Sequence, residues 1–127
     1  MNWQNVALGV AGVIGVVVAL VHGVLIQRFA VRPIVALAVT DRRISSPIRR
    51  LVPPLLQFST FNWFLGGLAL IAVAAGLAPG ARLAIALLAG SSCLYGALGN
   101  LWATRGRHPG GYLYVAACVL IIYGVSG

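Results

Sequence analysis

The chain has 127 residues, of which 61% are hydrophobic and 8% are charged, whereas about 25% of the residues in an average soluble domain are charged. A small soluble domain leaves roughly a third of its surface exposed, so this composition excludes a soluble globular fold. The net charge of +8 combines nine arginines with a single acid, Asp41. Because the arginines flank apolar segments, they indicate anionic lipid headgroups as partners and argue against nucleic acid.

Four apolar segments predict four transmembrane helices, since about 20 residues rising 1.5 Å each cross a bilayer core. The first contains only one strongly polar residue, His22, and the last is short for a span. The sequence therefore predicts an all-α, left-handed four-helix transmembrane bundle that forms one domain over residues 1–127. The predicted spans are residues 6–26, 55–77, 83–103 and 110–125.

A long basic connection is predicted at residues 28–54, with part of it lying on the membrane surface. Pro33 is typical of the first turn of a short helix there. The pair Ser46 and Pro47 is typical of an N-cap followed by a first-turn proline, so the second long helix begins there or after Pro54.

The distribution of arginine predicts the orientation. The first and third connections share one side of the membrane and hold eight arginines, whereas the second connection holds only Arg82. By the positive-inside bias, the eight arginines are cytoplasmic and both termini are periplasmic, in a bacterial inner membrane. The residues expected to contact lipid headgroups are Arg28, Arg32, Arg42, Arg43, Arg49, Arg50, Arg105 and Arg107.

A set of polar residues lies inside or beside the apolar spans, and several of them fall at a similar depth near the cytoplasmic boundary. One interpretation is a mutually satisfied hydrogen-bond cluster that fixes the helix register. The other is the floor of a cleft that receives the polar head of a lipid-like or quinone-like ligand. The candidate ligand-binding residues are His22, Gln57, Thr60, Asn62 and Asn100.

Small residues recur every four positions along the first span, which allows close approach of helix backbones. We expect this ladder to pack within the bundle first. The alternative is that it forms a homo-oligomer, or docks the chain as a structural subunit onto a larger membrane complex. The ladder consists of Ala7, Ala11, Gly15, Ala19 and Gly23.

The sequence contains few residues that could catalyse a reaction or bind a metal. We therefore predict a non-enzymatic binding or accessory role with no metal. It contains no carboxylate pair and no cluster of metal ligands. Cys93 and Cys118 lie in apolar runs, as packing cysteines do. Haem would need two facing histidines, and His108 lies in a turn. A channel or transporter would require an oligomer, because short helices rich in small residues leave no conduit.

Two resemblances bear on the architecture. Phe58-Ser59-Thr60-Phe61 is similar to the centre of the small fluoride-channel signature, but only one span precedes it here, and the arginine bias fixes one orientation. Most of the chain resembles a group of uncharacterised four-span bacterial inner-membrane proteins, a resemblance that implies location and architecture and no activity. The residues that carry it are His22, Arg32-Pro33, Gln57-Phe58-Ser59-Thr60, Trp63 and Arg105 to Pro109.

Overall fold

A computed structural model describes residues 2–41 and 44–126 of the chain. The described part is helical and contains no strand, which confirms the predicted all-α class. Its elements are α1 (Trp3–Ile26), a π-helical turn (Gln27–Val31), α2 (Arg32–Thr40), α3 (Ser46–Ala74), a 3₁₀ turn (Pro79–Ala81), α4 (Arg82–Thr104) and α5 (Pro109–Val125).

Three helical stretches are long and apolar enough to cross a membrane. The fourth apolar helix, α5, has 17 residues, close to the lower limit of about 17 for a span. Fewer than a third of the residues in the most apolar part of each stretch are buried inside the protein, as expected of helices that meet lipid. The three stretches are Trp3–Thr40, Ser46–Ala74 and Pro79–Thr104.

The first helix does not end near residue 26 but continues through the π-helical turn into α2. Proline inside a helix removes one backbone hydrogen bond and its ring clashes with the preceding turn. The wider π turn, in which the Arg32 N–H donates to the Gln27 carbonyl, lies directly before Pro33 and accommodates that ring. Pro33 therefore marks the predicted short helix, but this helix is joined to α1.

The connection predicted at residues 28–54 is consequently much shorter than expected. α2 ends at Thr40, and α3 begins at Ser46, the earlier of the two predicted starts. Ser45 rather than Ser46 occupies the N-cap position, and its side chain makes no capping hydrogen bond. Of the predicted headgroup residues, Arg42 and Arg43 lie outside the described part of the chain.

The extra helical turns form a projecting hairpin. Gln57 of α3 lies level with Gly23 and Gln27, because its side chain bonds to both residues. At 1.5 Å per residue, α2 and residues 46–56 of α3 extend about 15–20 Å beyond that level. We call this pair of segments the basic hairpin.

The tightest helix contact joins α1 to α3, and we call it the closed seam. A Cβ atom added to Gly12 would lie 2.6 Å from the carbonyl oxygen of Gly67, and one added to Gly67 would lie 2.7 Å from the Gly12 carbonyl oxygen. Four of the five ladder residues are buried, namely Ala7, Ala11, Gly15 and Ala19. The expected packing of the ladder within the bundle is thereby confirmed.

Arg82 ties three helices together at the end of the bundle opposite the hairpin. Its guanidinium donates to the Gly124 carbonyl oxygen from Nε (3.2 Å) and Nη2 (2.6 Å), and to Oδ1 of Asn5 from Nη1 (2.7 Å). The Gly124 carbonyl is one of the last four of α5, which have no partner within their own helix. The single arginine on this side therefore has a structural role as a cap.

Candidate functional site

The structure does not join the predicted polar residues into a single cluster. The Nε2 atom of His22 and the Ser59 hydroxyl are 3.3 Å apart and share a hydrogen bond. The imidazole also meets the indole of Trp63 edge-on, with ring centroids 4.8 Å apart. No hydrogen bond joins His22 to Gln57 or Asn100, the two partners expected from depth alone.

Trp63 continues this contact into the core of the bundle. Its ring lies 4.7 Å from that of Tyr114 between centroids, and its Nε1 donates to the Ser92 carbonyl oxygen at 3.2 Å. Gly96 makes room for both rings, since an added Cβ would lie 2.9 Å from the Trp63 ring and 3.1 Å from that of Tyr114. The stacked rings of Trp63 and Tyr114 therefore support the imidazole of His22 on its side toward α4 and α5.

Gln57 and Thr60 lie on the face of α3 that meets α1. The Nε2 of Gln57 donates to the Gly23 carbonyl oxygen at 3.1 Å and to Oε1 of Gln27 at 3.3 Å. Gly23 permits this approach, because an added Cβ would come within 2.8 Å of the Thr60 methyl group. The Thr60 hydroxyl is buried and has no hydrogen-bond partner among the described residues.

The other two candidates lie elsewhere. Asn62 is on the face of α3 that meets α4, where its Nδ2 donates to the Ser92 hydroxyl. Asn100 donates to the Gly96 carbonyl of its own helix at 3.0 Å, a common arrangement for an amide within a helix. Only His22, Gln57 and Thr60 therefore share one helix contact.

A groove of about 370 Å³ opens at the π-helical turn, and we call it the π-turn groove. Two arginines one helical turn apart line it beside amide and hydroxyl groups, and two apolar side chains of α1 form a wall. The polar lining consists of Gln27, Arg28, Arg32, Gln57 and Thr60, and the apolar wall of Leu20 and Val24.

The arginines of this groove have no internal counter-charge in the described structure. Both Arg28 and Arg32 are exposed, and neither forms a salt bridge or hydrogen bond through its side chain there. The chain contains one acidic residue in total, so most of its arginines require anions from outside the chain. The remaining described arginines on this side lie outside the groove and are Arg49, Arg50, Arg105 and Arg107.

His108 has a structural partner that the sequence did not reveal. Its Nδ1 accepts a hydrogen bond from the Gly110 N–H at 3.1 Å, so His108 is the N-cap residue of α5. The hydroxyl of Tyr112 donates to the Gly106 carbonyl oxygen at 3.0 Å and fixes the same loop. Among the described residues, no group of three or more His, Cys, Asp or Glu could hold a metal ion.

Among the polar residues that bond to the candidates or to Trp63, three were not themselves candidates, namely Gln27, Ser59 and Ser92. Gln27 and Ser59 each face a candidate across the α1–α3 contact, since Gln27 bonds to Gln57 and Ser59 bonds to His22; the signal that could have found them is the need of each candidate for a polar partner on the opposite helix. The π-helical turn itself leaves no periodic signal in the sequence, because it changes the angle between successive residues over only five positions.

Comparison with known proteins gave no matching family model, no similar curated protein and no similar solved structure. The chemistry open to this chain therefore follows from its own geometry. Two guanidinium groups and a side-chain amide beside an apolar wall can bind an acidic head that carries a hydrocarbon tail.

Proposed function

We propose that this chain is a non-enzymatic protein of a bacterial inner membrane, and that it binds an amphiphile with an acidic head in the π-turn groove. The observation that carries the proposal is the meeting of Arg28 and Arg32, which have no counter-charge among the described residues, with the apolar wall of Leu20 and Val24 in one groove.

The electrostatics favour an anion. A guanidinium offers planar pairs of N–H donors that match a phosphate or carboxylate, and such charge-assisted bonds are about twice as strong as neutral ones. The side chains of Arg28 and Arg32 are not occupied by other described residues. Both are therefore available to an incoming head, in a place where the apolar part of α1 ends.

The apolar wall supports a hydrocarbon tail rather than a free anion. Leu20 and Val24 line the groove and are 57% and 55% exposed. Val17 and Val21 continue the same exposed apolar surface along α1. A tail that lies along this surface would place its head at the arginines, as expected of a lipid in the cytoplasmic leaflet.

The test compares two double variants that remove the same charge. Arg28→Gln/Arg32→Gln empties the groove of cations, whereas Arg49→Gln/Arg50→Gln removes two arginines of the basic hairpin that do not line it. The purified proteins are titrated with phosphatidylglycerol in neutral detergent, and native mass spectrometry counts the bound molecules, with phosphatidylcholine as the neutral reference.

The proposal predicts at least a tenfold loss of phosphatidylglycerol binding for the groove variant and a loss of threefold or less for the hairpin variant. Each good charge-assisted contact contributes about 1.5–3 kcal/mol, so two of them account for such a loss. Equal losses in both variants would mean that the lipid responds to net charge alone and would contradict the proposal.

A second candidate function is favoured by the basic hairpin, which exposes apolar side chains beyond the level of the π turn. Leu37, Ile48 and Leu51 are 70%, 55% and 54% exposed. Such residues suit a structural subunit that docks onto another membrane protein. A stoichiometric partner that is retained on purification, and lost with Leu37→Glu/Leu51→Glu, would support this alternative.

A further inference from the structure

A second and larger groove lies between α3 and α4, and it is unlike the closed seam. We call it the α3–α4 groove. Its volume is about 520 Å³, and its floor reaches Ala11 and Gly15 of α1. Small residues such as Gly66, Ala69 and Ala89 line its walls. The two helices touch where a Cβ added to Gly66 would lie 3.5 Å from that of Ala89, but they do not reach the backbone-to-backbone approach of the closed seam.

Polar side chains at this groove face outward. Asn62 and Ser91 are exposed, and Tyr95 is 80% exposed. Asn62 uses its Nδ2 to bond Ser92, but none of the described residues donates to its Oδ1. The Tyr95 hydroxyl likewise bonds to none of them. The groove thus presents one unpaired acceptor and one unpaired hydroxyl.

In the membrane placement proposed above, these groups face hydrocarbon. Ser92 and Tyr95 lie near the middle of α4, which runs from Arg82 to Thr104. Lipid tails offer no hydrogen bonds, so polar groups at this depth require partners from protein or ligand. This surface is consequently unsuited to lipid alone.

We infer that the α3–α4 groove is the interface of a parallel homodimer, in which Tyr95 of each copy donates its hydroxyl proton to Oδ1 of Asn62 in the other copy. The inference rests on the proposed membrane placement and does not involve the π-turn groove. The occupant is a second copy because the same groove carries both the missing donor, the Tyr95 hydroxyl, and the missing acceptor, Oδ1 of Asn62.

The depths of the two residues agree with a twofold axis along the membrane normal. Asn62 is level with Ser92, because they are hydrogen-bonded. Tyr95 lies three residues, or about 4.5 Å, farther along α4. Helical side chains lean toward the N-terminus of their helix, which carries the Tyr95 hydroxyl back toward the level of Ser92. Copies related by this axis would bring the two groups together.

The charge distribution selects the parallel arrangement. Eight of the nine arginines lie on one side of the predicted spans, so all copies insert in one orientation. An antiparallel pair of copies is thereby excluded. In a twofold-symmetric dimer the Tyr95–Asn62 contact occurs twice, and the rim residues Leu65 and Leu88 of one copy face the small residues of the other.

The test uses two copies of the chain with different affinity tags, both with Cys93 and Cys118 replaced by Ala. One copy carries Asn62→Cys and the other carries Tyr95→Cys, and membranes are oxidised before purification. A disulfide between the two tagged copies reports contact between them, and a control pair measures the product of random collisions. The matched control pair is Val13→Cys with Val115→Cys, two exposed positions at similar depth on α1 and α5.

We expect a doubly tagged disulfide product from the groove pair and at most a tenth as much from the control pair. Tyr95→Phe should weaken dimerisation in liposomes about tenfold, measured by energy transfer between labelled copies, because each dimer loses two hydrogen bonds. The fold of each copy should persist, since Tyr95 is mostly exposed. Equal cross-linking of both pairs, or a monomer in liposomes, would overturn the inference.

Discussion

The two sides of α3 differ in how closely they approach their neighbours, although both carry small residues. Toward α1, a Cβ added to Gly67 would lie within 3 Å of two backbone atoms, the Gly12 carbonyl oxygen and the Val16 nitrogen. Toward α4, a Cβ added to the adjacent Gly66 would find its nearest atom in Ala89 at 3.5 Å, an ordinary contact. Small residues therefore permit close approach without compelling it.

The two sides of α3 differ in the hydrogen bonds that their neighbouring polar residues form. On the closed seam, His22 with Ser59, and Gln57 with Gly23, form bonds across the two helices. At the α3–α4 groove, Asn62 and Tyr95 retain unpaired groups that face outward. The closed seam thus pairs most of its polar groups across the two helices, with the Thr60 hydroxyl as the exception, whereas the α3–α4 groove presents unpaired groups on its outer surface.

The largest expected change in stability comes from adding one methyl group on the α1 side of α3, for comparison with the same addition on its α4 side. Gly67→Ala should destabilise the protein by about 3 kcal/mol, because the new Cβ meets backbone atoms that cannot move independently. Gly66→Ala should change stability by less than about 0.5 kcal/mol. Unfolding of the purified protein in mixed micelles measures both variants. Similar stability losses for both would mean that the seams do not differ as described.

Arg82 should give the next largest effect, because its side chain joins α4 to both α1 and α5 at one end of the bundle. Arg82→Ala removes three hydrogen bonds to Gly124 and Asn5 and should cost about 2 kcal/mol. Arg82→Lys keeps the charge but not the fork of donors, so it should recover part of that loss. If Arg82→Ala left the stability unchanged, side-chain packing, and not these hydrogen bonds, would hold α4 in place.

The architecture could be predicted from the sequence because hydropathy and charge act over whole segments. The helix ends near residues 74, 82, 104 and 109 follow from Pro, Gly and Arg at positions where apolar runs stop. The continuation of α1 through Pro33 could not be predicted, since proline usually starts or breaks a helix and the π turn that accommodates it has no sequence signature.

The candidate site was predicted only in part, for a geometric reason. The depth predicted from the sequence puts His22, Gln57 and Asn100 at one level, but which helix faces meet depends on rotation about each helix axis. That rotation is set by contacts such as the one between Gly12 and Gly67. Sequence periodicity does not fix it, because nearly every face of these helices is apolar.

The smallest expected effect concerns the hydrogen bond between His22 and Ser59 on the closed seam. A double-mutant cycle of His22→Leu and Ser59→Ala should give a coupling energy of about 0.6 kcal/mol, and no more than about 1.7 kcal/mol, the range for such bonds in membranes. The matched cycle of His22→Leu with Asn100→Ala should give no coupling. A measurable coupling energy between His22 and Asn100 would instead support the single hydrogen-bond cluster predicted from the sequence.

The placement of the chain across the membrane is tested most directly by labelling introduced cysteines with a membrane-impermeant thiol reagent. With Cys93 and Cys118 replaced by Ala, Pro79→Cys and Ser45→Cys provide exposed thiols at opposite ends of the bundle. The account predicts that Pro79→Cys is labelled in intact cells, and that Ser45→Cys is labelled only after the inner membrane is permeabilised. Labelling of Ser45→Cys in intact cells would contradict the proposed orientation and with it the cytoplasmic position of the π-turn groove.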